Sequence, residues 1–169
     1  MRPTKEPDAM PDIRHDIRPD IRIDKEGIWY YRGMEMFRKD IVHMLYQHVK
    51  QDPDGRYLIE KGEDRVYLDV EDTPYVVKSV LFRITDSQEK DVINLLMPDD
   101  RMDELDPATL RIGADNALYG VVVGFGVEAR FARSSYYQLA KYIEFEAGRN
   151  EFYICLNGCR YYIRKKEDV

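Results

Sequence analysis

The stretch IRIDKEGIWYYRG, residues 21–33, carries the pattern on which the fold prediction depends. Apolar and polar residues alternate on both sides of Lys25-Glu26-Gly27, which is typical of two strands joined by a turn. Upstream, Asp-Ile-Arg occurs three times at four-residue spacing, and the third copy opens this stretch. A helix built on the repeat would contain Pro19, which removes a backbone hydrogen bond and clashes with the preceding turn. We therefore predict that residues 1–19 are a flexible tether and that only the last copy folds.

The apolar pattern changes period after Gly33. Phe37, Ile41, Leu45 and His48 form a helical stripe, and the turn sequence Asp-Pro-Asp-Gly at residues 52–55 ends it. Four segments of strand-like composition then follow. They are RYLIE (56–60), RVYLDV (65–70), YVVKSVLFRI (75–84) and VINLLM (92–97).

The second half of the chain repeats the order of the first. Leu110-Arg111-Ile112 resembles Ile21-Arg22-Ile23, and Arg133 follows Arg38 by 95 positions. An offset of 94 fits the helical stripe slightly better, because it places Tyr136, Leu139 and Ile143 of a second helix on Val42, Leu45 and Val49. Because a regular offset persists across different elements, we predict an internal duplication.

The predicted fold class is α+β, with two similar strand-helix-strand subdomains and mostly antiparallel short sheets. The first subdomain is assigned to residues 20–84 and the second to residues 107–165. A strand and an acidic connector at residues 85–106 separate them.

Charge and hydropathy exclude several functional classes. The formal net charge is −6, and residues 85–106 alone hold eight acids and two bases, so the rest of the chain is neutral. Without a basic stripe, we predict no nucleic-acid partner. No apolar run approaches the ~20 residues of a membrane helix, and the N-terminal residues do not form a signal-peptide apolar region. We predict a cytoplasmic protein with no membrane partner.

The motifs that could carry a cofactor, metal or disulfide are incomplete. Asn157-Gly158 is typical of a two-residue hairpin turn, which would place Cys155 and Cys159 on opposite faces and prevent a disulfide between them. No further Cys or His completes a metal site. VVVGFGVEA (121–129) fits a dinucleotide fingerprint, but too few residues follow it for a Rossmann unit, so we interpret its glycines as bends. We predict no cofactor and no metal.

Four segments resemble a known bacterial family. They are RIDKEGIWYYRG (22–33), DGRYLIE (54–60), VEDTPYVV (70–77) and GVEARFARSSYYQL (126–139). Together they resemble domain of unknown function 1285, over about residues 20–163. The resemblance implies two similar α+β halves with a candidate ligand-binding cavity and a suggested role in signalling, without an established activity. The chain has Pro11-Asp12 where the family usually has Cys-Gly.

The arginines at the predicted helix starts are the main site candidates. Arg38 opens the first helix and Arg133 lies near the start of the second, where a cation opposes the helix dipole. One interpretation is structural, with Glu71 and Asp72 as ion-pair partners of Arg38. A second is an anion site, because free helix amides and a guanidinium suit a carboxylate or phosphate. A third is that the arginines are exposed and have no specific role.

Aromatic residues near both arginines suit a ligand with an apolar body. Trp29, Tyr31 and Tyr137 are the candidate walls of a cleft between the halves. The leading hypothesis is a cytoplasmic binding or sensory module for a small organic anion. The alternative is a protein-interaction module or homo-oligomer. An enzyme such as a hydrolase is less favoured, since Glu71 or Asp72 could act as a base only beside a cavity, and we assign no catalytic residue.

Overall fold

The structure is a computed structural model that describes residues 19–84 and 90–165. The predicted tether, apart from Pro19, and residues 85–89 of the predicted connector lie outside these ranges. The described chain is mostly β-structure with two α-helices, α1 (Lys39–Tyr46) and α2 (Arg133–Ala140). Neither helix is long and apolar enough to cross a membrane. The α+β class is therefore confirmed in its coarse form, with more strand than the sequence suggested.

The strands of the first half form one sheet. They are β1 (Ile21–Ile23), β2 (Trp29–Tyr31), β3 (Met34–Glu35), β4 (Val49–Gln51), β5 (Tyr57–Lys61) and β6 (Asp64–Val70). Their order across the sheet is β3-β2-β1-β6-β5-β4. The two outer hairpins are antiparallel, whereas β1 and β6 at the centre run parallel.

The remaining strands form two more sheets. They are β7 (Val76–Val77), β8 (Ser79–Arg83), β9 (Val92–Leu96), β10 (Met102–Ile112), β11 (Leu118–Val122), β12 (Val127–Phe131), β13 (Ile143–Glu146), β14 (Glu151–Leu156), β15 (Cys159–Tyr162) and β16 (Arg164–Lys165). One sheet has the order β7-β12-β11-β10-β9-β8, with β16 also paired to β10, and the other has the order β13-β14-β15.

The larger sheets are mixed, which corrects the prediction of mostly antiparallel sheets. Besides β1 and β6, the pairs β7–β12 and β10–β16 are parallel. Parallel partners need a long connection, and here whole helices and hairpins lie between them. Alternating residues predict a strand but not its distant partner, so the sequence could not supply these pairings.

The second sheet bends round so that its two ends meet. Its edge strands β7 and β8 are consecutive in the chain and are separated only by Lys78. Helix α2 packs over this junction, where Gln138 Oε1 accepts hydrogen bonds from Val80 N at 2.7 Å and Ser79 Oγ at 3.0 Å. Ser135 donates to the Val77 carbonyl at 2.7 Å, so it anchors α2 to the sheet.

Both predicted helices are shorter than their apolar stripes. Helix α1 ends at Tyr46, so His48 lies beyond it, while Phe37 lies before it and is largely exposed. Ile143, on the stripe of the second helix, belongs to β13. A short helix followed at once by a strand can mimic a longer helical pattern, because both place apolar residues at the junction.

The first and second halves have the same order of strands and α-helices, and the second half adds a short 3-10 helix, Ala114–Asn116, between β10 and β11. Each contains three strands, an eight-residue helix and three further strands, namely β1, β2, β3, α1, β4, β5, β6 and β10, β11, β12, α2, β13, β14, β15. The opening turns also agree, since Asp24 N donates to Ile28 O at 3.0 Å and Gly113 N donates to Ala117 O at 2.8 Å. This agreement lets positions in the two halves be compared by geometry.

Other sequence motifs have structural roles. Cys155 pairs with Arg160 across the predicted hairpin, as expected, and both cysteines are free thiols. Gly124 lies in the turn between β11 and β12, where an added Cβ would overlap the Asp103 carboxylate. The segment leads into a strand and not into a helix, which supports the interpretation of its glycines as bends.

Candidate ligand-binding groove

Arg38 does not contact the predicted acidic partners. Its guanidinium pairs with Asp40, two residues on, at 2.6 Å, and its side chain is 73% exposed. Glu71 instead pairs with Arg22 at 2.7 Å, also at the surface. Asp40, in the first turn of α1, therefore neutralises the charge of Arg38. Its carboxylate also interacts favourably with the positive end of the helix dipole.

Asp72 joins the two halves of the chain. Its Oδ2 accepts hydrogen bonds from Arg130 Nη1 and from the Tyr119 hydroxyl, each at 2.8 Å. Burial alone would lower the pKa of Arg130, but the hydrogen bond with Asp72 raises it above its usual value. Next along the chain, Thr73 Oγ1 accepts a hydrogen bond from Arg130 N at 3.2 Å. We call residues 71–77 the strap, because this segment ends in β7 and pairs with β12 of the second half.

Two of the predicted aromatic walls do not line the groove described below. Trp29 is buried and contacts Tyr46 edge-on, with ring centroids 4.9 Å apart. Tyr46 stacks on Tyr75 of the strap, and Tyr75 stacks on Phe125. Tyr31 lies at the surface, 5.1 Å below the guanidinium of the adjacent Arg32. Trp29 is therefore a core residue that packs the first half against the strap.

Arg133 and Tyr137 do lie together, at a cavity of about 670 Å³ in the second half. The cavity is bounded by the start of α2, by the turn between β10 and β11 and by the end of β12. Its polar lining consists of Glu26, Asp115, Asn116, Arg130, Arg133 and Tyr137. Of these residues only Glu26 comes from the first half. The cavity therefore lies mainly within one half.

A second cavity of about 600 Å³ adjoins the first, because Asn116 and Tyr136 line both. Its other side chains are mostly apolar and come from the sheets and the end of α2. They are Ile112, Ala140, Ile143, Phe152 and Ile163, with Lys165 at the rim. We call the two cavities together the groove. It has a polar mouth and an apolar body, which is the usual character of a small-molecule site.

The charges at the mouth have both signs. Arg130 is neutralised by Asp72, and its side chain is only 19% exposed. Arg133 makes no ion pair within the residues that the structure describes, and its guanidinium lies 5.9 Å from the Tyr137 ring. Glu26 and Asp115 likewise make no direct ion pair in the described ranges, although the Glu26 charge contributes to the raised pKa of Arg130. The mouth can therefore offer a guanidinium and carboxylates to a ligand.

The sequence missed the residues of the apolar body. Ala140 is the most informative, because it occupies the last position of α2 as Tyr46 occupies the last position of α1. The offset of 94 in the helical stripe relates these two residues. A small residue in place of a large buried aromatic could have indicated a cavity, had the two helices been compared position by position.

Residues 90–106 of the predicted connector contain β9, the start of β10 and the turn between them. Met97 N donates to Arg101 O at 2.8 Å, which closes a tight turn between β9 and β10. Asp99 in this turn is only 3% exposed and pairs with Arg101, while Asp100 pairs with Lys78 at 2.9 Å. The described part of this segment, residues 90–106, therefore belongs to the second sheet.

Comparison with known proteins supports the resemblance found in the sequence. Residues 8–73 match the family model described as domain of unknown function (DUF1285), N-terminal domain. A DUF1285 family protein from Silicibacter pomeroyi DSS-3 has a TM-score of 0.69 at 22% identity, covering 86% of this chain and 79% of its own. Another, from Shewanella baltica OS155, has a TM-score of 0.59 at 18% identity, covering 73% of this chain and 91% of its own.

At these identities the two solved structures establish the fold and no function. No curated protein matches the chain. The chain is therefore similar to DUF1285 proteins in its N-terminal sequence and in its fold.

Proposed function

We propose that the chain is a small-molecule-binding or sensory module whose ligand occupies the groove of the second half. The ligand has a carboxylate and an apolar body. This proposal keeps the ligand class that the sequence indicated but moves the site, from a cleft between the halves to a groove formed mainly by the second half.

The proposal includes an internal repeat of the two halves. Their identical order of strands and α-helices supports it, and so does the register of the opening hairpins. Arg22 pairs with Tyr30 in the first hairpin, and Arg111 pairs with Tyr119 in the second. In both hairpins the guanidinium also lies over the ring, at 5.8 Å and 4.2 Å. In this register Trp29 corresponds to Leu118.

The observation that carries the proposal is the difference in size between the residues beneath the two helices. Trp29 and Tyr46 fill the core beneath α1, where both are buried. The corresponding residues beneath α2 are Leu118 and Ala140, which are much smaller. Protein interiors are normally packed to high density, and the smaller side chains beneath α2 leave an open groove with room for a small molecule. The groove lies where the two aromatics would be.

The polar mouth supports a carboxylate as one group of the ligand. Arg133 is the cation there without an acidic partner among the described residues. A guanidinium binds a planar carboxylate through two parallel hydrogen bonds, which gives both affinity and orientation. The neighbouring Tyr137 ring is exposed and could cover an apolar ligand.

The groove can be tested by filling it. Amide NMR spectra would be recorded during titration with octanoate and with 3-phenylpropionate, for the wild type and for Ala140→Tyr. This change places at the groove the residue that α1 carries at the same position, and it leaves the polar mouth intact. We expect chemical-shift changes around Tyr136, Ala140 and Ile143 in the wild type and their loss in the variant.

A matched control is Ala147→Tyr, because Ala147 lies in the turn between β13 and β14, outside the lining of the groove. It should bind as the wild type does. The proposal is wrong if neither these probes nor the amino acid tested below shifts any amide, or if Ala140→Tyr binds both probes as well as the control does.

A further inference from the structure

We infer that the natural ligand carries an ammonium group as well as a carboxylate, on an apolar body, as an apolar α-amino acid does. This inference rests on the proposed binding function and specifies its ligand class. It follows from the charges of the mouth, from the position of the apolar body and from the corresponding surface of the first half.

The charges of the mouth do not suit a simple anion. Once Arg130 is neutralised by Asp72, the mouth retains one guanidinium, of Arg133, and two carboxylates, of Glu26 and Asp115. A ligand with only a carboxylate would be attracted by the first and repelled by the other two. A ligand with only an amine would leave Arg133 without a partner. A ligand with both groups can pair with charges of both signs.

The apolar body of the groove limits the rest of the ligand. Ile112, Ile143 and Ile163 give it aliphatic walls, and Phe152 adds an aromatic ring. Burying an apolar side chain there would contribute affinity in proportion to the area removed from water. Because Asn116 and Tyr136 line both cavities, the polar groups of the ligand can stay at the mouth while its side chain enters the body.

In the first half, the surface of α1 that corresponds to the mouth of the groove is occupied by charged side chains of the chain itself. In α1, Lys39 and His43 correspond to Arg133 and Tyr137 of α2. Beside them lie the Lys78 ammonium and the Asp100 carboxylate, paired at 2.9 Å, and His43 Nε2 is 3.8 Å from Asp100. The cavity at this surface measures only about 190 Å³, and it is lined by Trp29 and Tyr46.

An ammonium and a carboxylate from the chain itself therefore lie against α1. Lys78 also contacts α2 through its backbone, because its carbonyl accepts a hydrogen bond from Ser134 Oγ at 3.5 Å. Its ammonium, however, lines the cavity at α1, and no ammonium–carboxylate pair among the described residues lines the groove at α2. We interpret the pair of Lys78 and Asp100 as the internal counterpart of a ligand that α2 binds from solution. This explains why the first half is closed and the second is open.

The test compares three probes with the same phenyl group. L-phenylalanine has both charges, 3-phenylpropionate has only the carboxylate and phenethylamine has only the ammonium. Dissociation constants would be measured by calorimetry for the wild type, for Arg133→Gln and for Glu26→Gln with Asp115→Asn. We expect L-phenylalanine to bind about tenfold or more tightly than either single-charge probe, since each added charged hydrogen bond contributes about that factor.

The variants separate the two charged contacts. Arg133→Gln should weaken L-phenylalanine and 3-phenylpropionate and leave phenethylamine unchanged. The double carboxylate variant should weaken L-phenylalanine and phenethylamine but not 3-phenylpropionate. All altered side chains lie at the open mouth, and the comparison of probes on the wild type does not depend on any variant.

Each remaining outcome contradicts the inference in a recognisable way. If 3-phenylpropionate binds as tightly as L-phenylalanine, the ligand is a simple organic anion, and only the inference fails. If phenethylamine binds tightest, the site prefers a cation, and the inference fails together with the carboxylate of the proposed function. If no probe binds and octanoate does not bind either, the binding function itself is wrong.

Discussion

The carboxylate of Asp72 accepts hydrogen bonds from Arg130 and Tyr119, each at 2.8 Å, across 58 and 47 residues of chain. The two donors lie on the adjacent strands β12 and β11, so one carboxylate fastens the strap to the sheet that forms the groove. Asp72 also neutralises Arg130 at the mouth. The strap therefore determines both the docking of the halves and the charge at the mouth of the groove.

We expect Asp72→Ala to lower the free energy of unfolding by about 1–3 kcal/mol. The reason is that the mostly buried Arg130 guanidinium would lose its ionic partner, and an unpaired buried polar group is costly. Urea denaturation followed by circular dichroism measures the change. The matched control is Glu71→Ala, which removes an exposed pair with Arg22 and should have little effect. Equal losses in the two variants would show that Asp72 does not join the halves.

A second prediction concerns the junction between β7 and β8. Gln138→Ala removes the oxygen that accepts a hydrogen bond from Val80 N at 2.7 Å, so we expect a loss of about 1–3 kcal/mol in the free energy of unfolding. Gln138→Glu keeps an acceptor oxygen at this position and should retain more of the stability. Hydrogen exchange at the Val80 amide gives a local readout, and it should accelerate in the alanine variant only. Unchanged exchange there would contradict the role of Gln138.

Local patterns predicted the local structure well. Asn157-Gly158 predicted the hairpin and its register, because a two-residue turn of this type allows little else. The alternation in residues 21–33 predicted β1 and β2. Both strands are short, however, so alternation alone did not tell which face is buried. Trp29 and Tyr31 share a face by period, yet the first is buried and the second is exposed.

Long-range relations could not be predicted in the same way. Asp72 was predicted as a partner of Arg38, and no residue pattern indicates that its partner is Arg130, because that contact depends on the parallel pairing of β7 and β12. The groove was missed for a related reason. A cavity reflects the absence of side-chain volume. Leu118 and Ala140 are informative only when they are compared with the larger residues Trp29 and Tyr46, which stand at similar positions in the first half.

A third prediction concerns two buried tyrosines at neutral pH. The Tyr46 hydroxyl is buried and has no hydrogen-bond partner in the described structure, so Tyr46→Phe should leave the free energy of unfolding unchanged or raise it. The Tyr75 hydroxyl donates to the Tyr46 carbonyl at 3.4 Å, so Tyr75→Phe should lower stability by about 1 kcal/mol. Thermal and urea denaturation of both variants test the contrast. A large loss in Tyr46→Phe would mean that its hydroxyl has a partner after all.

The fourth prediction concerns the same tyrosines in alkaline solution. Burial raises the pKa of Tyr75 to about 12 and raises the pKa of Tyr46 still further, whereas an unfolded tyrosine has a pKa of about 10. Above about pH 10 the unfolded chain therefore releases protons that the folded chain keeps. The two tyrosines therefore make their full contribution to the free energy of unfolding below about pH 10. This contribution is lost as the pH rises, by about 1.4 kcal/mol per pH unit for each tyrosine.

Urea denaturation at several pH values above about 9 measures this slope. We expect the decline to be shallower in Tyr46→Phe and in Tyr75→Phe than in the wild type, and shallowest in the double variant. It should not vanish, because burial also raises the pKa of Tyr57, and burial and the hydrogen bond to Asp72 raise that of Tyr119. If the double variant loses stability as steeply as the wild type, the stack of Tyr46 and Tyr75 is open to water, and the packing of α1 against the strap is looser than the structure shows.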